Sequence, residues 1–152
     1  MKFGGPLLAV NDIKESKKFY EDVLGQKAEL DLGTHVSFGA GFSIQEKYAE
    51  LIGINPNSVL RQSNNFQLYF EVEDLDSWNT RIKNINSLEY IHDIKEYEWG
   101  QRVFRFYDPD RHIIEIAESM ESVVKRFLSQ GMSVEETAKR SMFPIEFVKQ
   151  CL

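Results

Sequence analysis

A chain of 152 residues with 42% hydrophobic residues is long enough for one compact domain with a small appendage, and too short for two full enzyme domains. Its 18 basic and 24 acidic side chains give a net charge of −6, which repels a phosphate backbone, so no nucleic-acid partner is expected. The single cysteine, Cys151, excludes an internal disulfide and a thiolate metal cluster, and it points to a reducing, cytoplasmic setting.

Residues 6–10 form the only apolar run near the start. They are too few for the core of a leader, and no later run approaches a membrane span, so a soluble, unprocessed chain without a membrane partner is expected. That run reads as a strand. Asp12 and Glu15 then have the spacing of a helix N-terminus, and Ile13, Ser16, Tyr20 and Val23 recur at helical period before Gly25, which predicts a helix over 13–24. Three alternating segments follow, with turns at Gly33 and at 39–41.

A second strand-like run at 66–72 leads to Asp74 and to the stripe Leu75, Trp78, Ile82 and Ile85, which is the first stripe displaced by 62 positions. Three further alternating segments follow, with a turn at Asp108, Pro109 and Asp110. Strand, helix and three strands thus occur twice, in modules of about 4–48 and 66–118 joined by a connector at 49–65. Such a unit alone leaves one sheet face bare. Two of them can curl into a shared eight-stranded cup with the helices outside, which places the fold in the α+β class, with a domain at 1–118.

The extension at 119–152 is helical throughout. Met120, Val123, Val124, Phe127 and Leu128 make one apolar stripe ended by Gly131, Ser133 and Glu136 form a capping box, and Pro144 suits the first turn of a third helix. Helices this short need a surface, so the tail is expected to dock onto the cup or onto a second subunit of a homodimer. A helix-turn-helix reading of the last two helices fails on charge. Residues 144–152 carry Lys149 as their one cation.

The motifs 8–13, Phe19-Tyr20, Leu24-Gly25, Trp99-Gly100-Gln101-Arg102 and 106–110 leading to Ile114-Glu115-Ile116 resemble the glyoxalase, bleomycin-resistance and extradiol-dioxygenase superfamily, also called vicinal oxygen chelate. The resemblance spans about 4–118 and implies paired βαβββ modules, a small-molecule ligand in the cup, and a divalent metal held by His or Glu at four strand positions. Matched on the flanking motifs, those positions fall at Gly5, Gln45, Gln67 and Glu115. Only Glu115 supplies an anionic ligand, and a slip of one residue would add Glu46, so no metal or other cofactor is expected.

Without a metal, the other polar groups of the cup define the reading. Counting by two from Gln67 brings Tyr69 and Glu71 to the same face, with Glu71 unpaired, and a tight turn at 109–111 sets Arg105 opposite Glu115. Arg105 and Glu115 would form a structural ion pair, or the same guanidinium would receive a carboxylate or phosphate that Glu115 orients, and Trp99 would either close one wall or pack in the core. The ligand-binding set is therefore Gln45, Gln67, Tyr69, Glu71, Trp99, Arg105 and Glu115. Alternation also turns His35 and Ser37 toward the cup, while His92 falls on an edge strand and His112 follows the 108–110 turn. No ligand spacing links the three histidines, which read as surface or hydrogen-bonded residues. Arg111 occupies the place of a turn glycine in the resembling family.

The sequence therefore describes a protein that binds a small organic molecule. The alternatives are a metal-dependent glyoxalase-like lyase or dioxygenase, and a ligand-sensing module that acts through the helical tail.

Overall fold

A computed structural model describes all of Met1–Leu152. The first repeat contains β1 (Leu7–Val10), α1 (Ile13–Lys18), a π-helical turn (Phe19–Val23), β2 (Ala28–Asp31), β3 (His35–Phe38) and β4 (Phe42–Glu46). The second contains β5 (Gln67–Val72), α3 (Leu75–Lys83), β6 (Tyr90–Glu96), β7 (Arg102–Tyr107) and β8 (Ile113–Glu118). The connector carries its own α2 (Tyr48–Ile52) and a 3₁₀ turn (Pro56–Ser58), and the tail carries α4 (Met120–Ser129), α5 (Val134–Ser141) and α6 (Ile145–Gln150).

The strands form two four-stranded sheets, ordered β1-β4-β3-β2 and β5-β8-β7-β6, so both repeats have the same topology. The chain divides into two compact units, Met1–Phe66 with Tyr107–Ile113, and Gln67–Phe106 with Ile114–Leu152. No helix is long and apolar enough to cross a membrane.

In the first unit β1 pairs parallel with β4, and β3 runs antiparallel to both β4 and β2. Alternation sends Leu8, Val10, Val36, Phe38, Phe42 and Ile44 to a buried face, against which α1 packs. Asp12 caps α1, its carboxylate accepting from the amides of Lys14 at 2.8 Å and Glu15 at 3.0 Å. The helix predicted over 13–24 is α-helical only to Lys18 and then widens into the π turn, where the Leu24 amide donates to the Phe19 carbonyl at 3.4 Å. Both Phe19 and Tyr20 are buried there, their rings edge to face with centroids 5.2 Å apart.

The turn at 108–110 completes this unit. Tyr20 Oη donates to Asp108 at 2.7 Å, and Ser16 Oγ donates to Asp110 at 2.9 Å. Burial, with Asp108 beside it, pushes the Tyr20 hydroxyl well above its ordinary pKa. Arg111 has φ of 70°, the left-handed conformation that explains why a glycine would suit this position.

In the second unit α3 begins at Leu75 behind the cap Asp74, whose carboxylate accepts from the Ser77 amide at 3.0 Å. The helix stops at Lys83, so Ile85, the last member of the expected stripe, lies beyond it. The tail forms its expected three helices. Val124, Ala138, Val148 and Cys151 make a small core, with Leu128, Val134 and Phe147 packed against it. Val123 and Phe127 are buried as well, so the α4 stripe is covered inside the chain and no longer argues for a second subunit.

Candidate ligand-binding site

Of the seven expected ligand-binding residues, Gln45 belongs to the first unit and the other six to the second. On the second sheet, Gln67, Tyr69 and Glu71 alternate along β5 on its exposed face, with Leu68 buried between the first two. Arg105 of β7 and Glu115 of β8 form an ion pair in which both side chains are largely buried.

Arg105 is the hub of this face. Its Nε donates to Gln67 Oε1 at 2.9 Å, and its Nη1 donates to Tyr97 Oη at 2.6 Å and to His92 Nε2 at 2.9 Å. His92 Nδ1 lies 2.8 Å from the Asp93 carbonyl, to which it must donate, so Nε2 carries the lone pair that receives the arginine. Gln67 Nε2 in turn donates to Glu115 Oε2 at 2.8 Å, which fixes both the amide and the carboxylate. Together with the bond from Nη2 to Glu115, four of the five N–H groups of the guanidinium are engaged.

An aromatic wall stands beside this hub. Tyr97 and Trp99 are stacked, with centroids 4.6 Å apart and planes at 17°, and the Arg105 guanidinium lies 5.7 Å from the Tyr97 ring centre. Trp99 Nε1 donates to Gln101 Oε1 at 3.1 Å, and the buried Gln101 donates through Nε2 to Tyr69 Oη at 3.0 Å and to the Glu118 carbonyl at 2.9 Å. Glu71 is not unpaired as the strand count suggested, because Tyr69 Oη donates to it at 2.6 Å. Desolvation, and then this bond, push the Tyr69 hydroxyl up to about 12.

The four family metal positions do not fit a metal. Gly5 has φ of 102°, and a Cβ there would lie 2.0 Å from the Gly41 carbonyl oxygen, so no ligating side chain can replace it. Gln45 Nε2 donates to the carbonyls of Thr34 at 2.9 Å and Glu46 at 2.8 Å, which leaves its oxygen to accept from His35 Nδ1 at 3.0 Å. Glu46 does not take its place, since its carboxylate accepts from the Ile13 amide at 3.4 Å. Gln67 is held between Arg105 and Glu115, and Glu115 already has a guanidinium where a cation would bind. No group of three or more His, Cys, Asp or Glu side chains is arranged to hold a metal ion.

The histidines are hydrogen-bonded, as their spacing suggested: His35 to Gln45 and Ser37, His92 to Arg105, and His112 Nδ1 to Asp108 at 2.8 Å. The sequence reading missed His92, Tyr97 and Gln101. All three join the site through cross-strand or loop contacts that no short motif encodes.

Residues 3–121 match the family described as glyoxalase-like domain. The chain is 34% identical over 119 residues to the uncharacterized protein YraH of Bacillus subtilis strain 168, a match covering 72% of this chain and 91% of that protein. It is 43% identical to a protein of unknown function from Agrobacterium tumefaciens, with a TM-score of 0.68, over 78% of this chain and 94% of the other. A lactoylglutathione lyase from the same organism is 22% identical with a TM-score of 0.58, over 78% of this chain and 95% of that one. A glyoxalase/bleomycin resistance protein/dioxygenase from Nocardioides is 20% identical with a TM-score of 0.60, over 78% of this chain and 83% of that one. The last two likenesses speak for the fold alone.

Proposed function

The chain belongs to the glyoxalase-like domain family, and from that premise we propose that it binds a small organic molecule bearing a carboxylate or phosphate, without the family's metal. The observation that carries this reading is Arg105, positioned by Gln67, Tyr97, His92 and Glu115 beside the Tyr97–Trp99 stack. A guanidinium fixed in this way, with an N–H to spare, offers a planar donor to an anionic group, and the rings offer an apolar wall to the rest of the ligand. Gln67, Tyr69 and Glu71 supply the polar floor, and Glu115 orients the arginine.

Benzoate, a planar carboxylate, tests the reading. It should perturb the fluorescence of Trp99 saturably in the wild type and lose that effect in Arg105→Met. An equal response in both proteins would remove Arg105 from the site. Native protein purified without chelators should hold far less than one equivalent of nickel, zinc, iron or manganese. One tightly held equivalent with chelator-sensitive activity would restore the metal-dependent alternative.

A second reading rests on Gly100. A Cβ at this position would lie 2.1 Å from the ring of Phe127 in α4, and Arg126 of the same helix donates to the Gly100 carbonyl at 2.6 Å. The tail is thus tied to the turn that carries Trp99 and Gln101, and a ligand at Trp99 would alter the tail's contacts. Benzoate should then protect residues 119–152 from protease. Unchanged cleavage would count against a sensing role.

A further inference from the structure

The face of the first sheet opposite α1 holds a hydrogen-bonded chain of three half-buried side chains and one buried one, apart from the Arg105 network. The register pairs His35 with Gln45 and Ser37 with Ser43 across β3 and β4, so alternation turns all four to the same face, opposite the one packed on α1. Ser43 Oγ lies 2.8 Å from Ser37 Oγ, Ser37 Oγ lies 3.0 Å from His35 Nε2, and His35 Nδ1 lies 3.0 Å from Gln45 Oε1.

The direction of each bond follows from one fixed end. Both hydrogens of the Gln45 amide are given to the carbonyls of Thr34 and Glu46, so its oxygen faces the imidazole and can only accept. His35 must therefore carry its proton on Nδ1 and present the Nε2 lone pair to Ser37. Ser37 donates its hydroxyl hydrogen to that lone pair, and Ser43 donates to Ser37. A serine hydroxyl facing an imidazole nitrogen, with the far nitrogen held by a buried amide oxygen, is the arrangement that activates an oxygen nucleophile.

We propose that Ser37 is an activated serine that accepts acyl groups from small esters, with His35 as its base and Gln45 as a positioning residue. In the first step Ser37 Oγ forms a bond to the acyl carbon and passes its proton to His35 Nε2. The bond from that carbon to the alcohol oxygen breaks, and the departing alkoxide takes the proton from His35 and leaves as the alcohol. Water then attacks the acyl-serine, gives one proton to His35, and displaces Ser37 Oγ, which regains that proton as the acid leaves. Ser43 stabilises negative charge near Ser37 through its hydroxyl hydrogen.

The probe is an alkyl fluorophosphonate, in which Ser37 Oγ bonds to phosphorus, fluoride leaves with the P–F electron pair, and the serine proton passes through His35 to solvent. The full-length protein should gain one adduct, located on Ser37 by peptide mass. Labelling should vanish in Ser37→Ala and slow by about a hundredfold or more in His35→Asn, both checked for native circular dichroism. An absence of adduct on the folded wild type, an adduct that persists in Ser37→Ala, or an unchanged rate in His35→Asn would overturn the proposal. Nitrogen-15 NMR of the unmodified protein gives a second test. The His35 proton should sit on Nδ1, and Gln45→Leu should admit the Nε2-protonated form; an Nε2 proton in the wild type, or a tautomer indifferent to Gln45→Leu, would overturn it equally.

Discussion

Removing either partner of the Arg105–Glu115 pair leaves a charge with little water around it, whereas removing both leaves none. Arg105→Met or Glu115→Gln alone should therefore cost about 1–3 kcal/mol, and the double variant less than the sum, as measured by urea unfolding. Strictly additive losses would contradict the shared network through Gln67. This pairing was legible from strand alternation and one tight turn, because both residues lie close to the same hairpin. His92 and Tyr97 were not, because Arg105 reaches them through its own length and no period in the chain marks such a contact. The His35–Ser37 half of the first-sheet chain showed in the alternation of β3, but Ser43 and the orientation of Gln45 needed the β3–β4 register.

At the scale of elements, the join between α4 and the second sheet depends on Glu118, the last residue of β8. It accepts from Arg126 Nη2 at 3.0 Å and Arg102 Nη2 at 3.2 Å, and Gln101 donates to its carbonyl. Burial pushes the Glu118 carboxyl up, but the bonds from Arg126 and Arg102 outweigh it and hold the pKa below the ordinary value of 4.5. A depressed folded-state value means that the stabilisation is complete above that ordinary value and is lost as pH falls below it toward the folded one. Melting temperature should accordingly drop on acidification below about 4.5 in the wild type, and less steeply in Glu118→Gln. Gly100→Ala should destabilise by about 2 kcal/mol, because φ of 85° and the Phe127 ring both oppose a Cβ. The tail helices were readable from their stripe and capping box, since those signals are local. Their seat on Gly100 was not, since a glycine in a Trp-Gly-Gln turn carries no sign of what approaches it.

For the whole molecule, the repeat of 62 positions between Ile13 and Leu75 was enough to establish two modules of one topology. It missed the α2 helix in the connector, whose run of Tyr48–Ile52 is too short to stand out by period. That connector exposes Leu51 at 61%, Ile52 at 47%, Ile54 at 41% and Leu60 at 74%, and with the α4 stripe covered these residues become the surface that supports an expected homodimer. Light scattering at tens of micromolar should give twice the chain mass, and Leu60→Asp should lower it; a monomeric wild type would refute the expectation.

The division of the chain also constrains how the protein comes into being. The buried hydroxyls of Ser16 and Tyr20 find their acceptors in Asp110 and Asp108, roughly ninety residues downstream. On a ribosome the amino-terminal sheet would emerge long before those carboxylates do, so it must wait, incompletely satisfied, until most of the chain has been made. A nascent fragment ending at residue 66 should exchange its amide hydrogens freely, and protection should arise in the first sheet only once synthesis has passed residue 113.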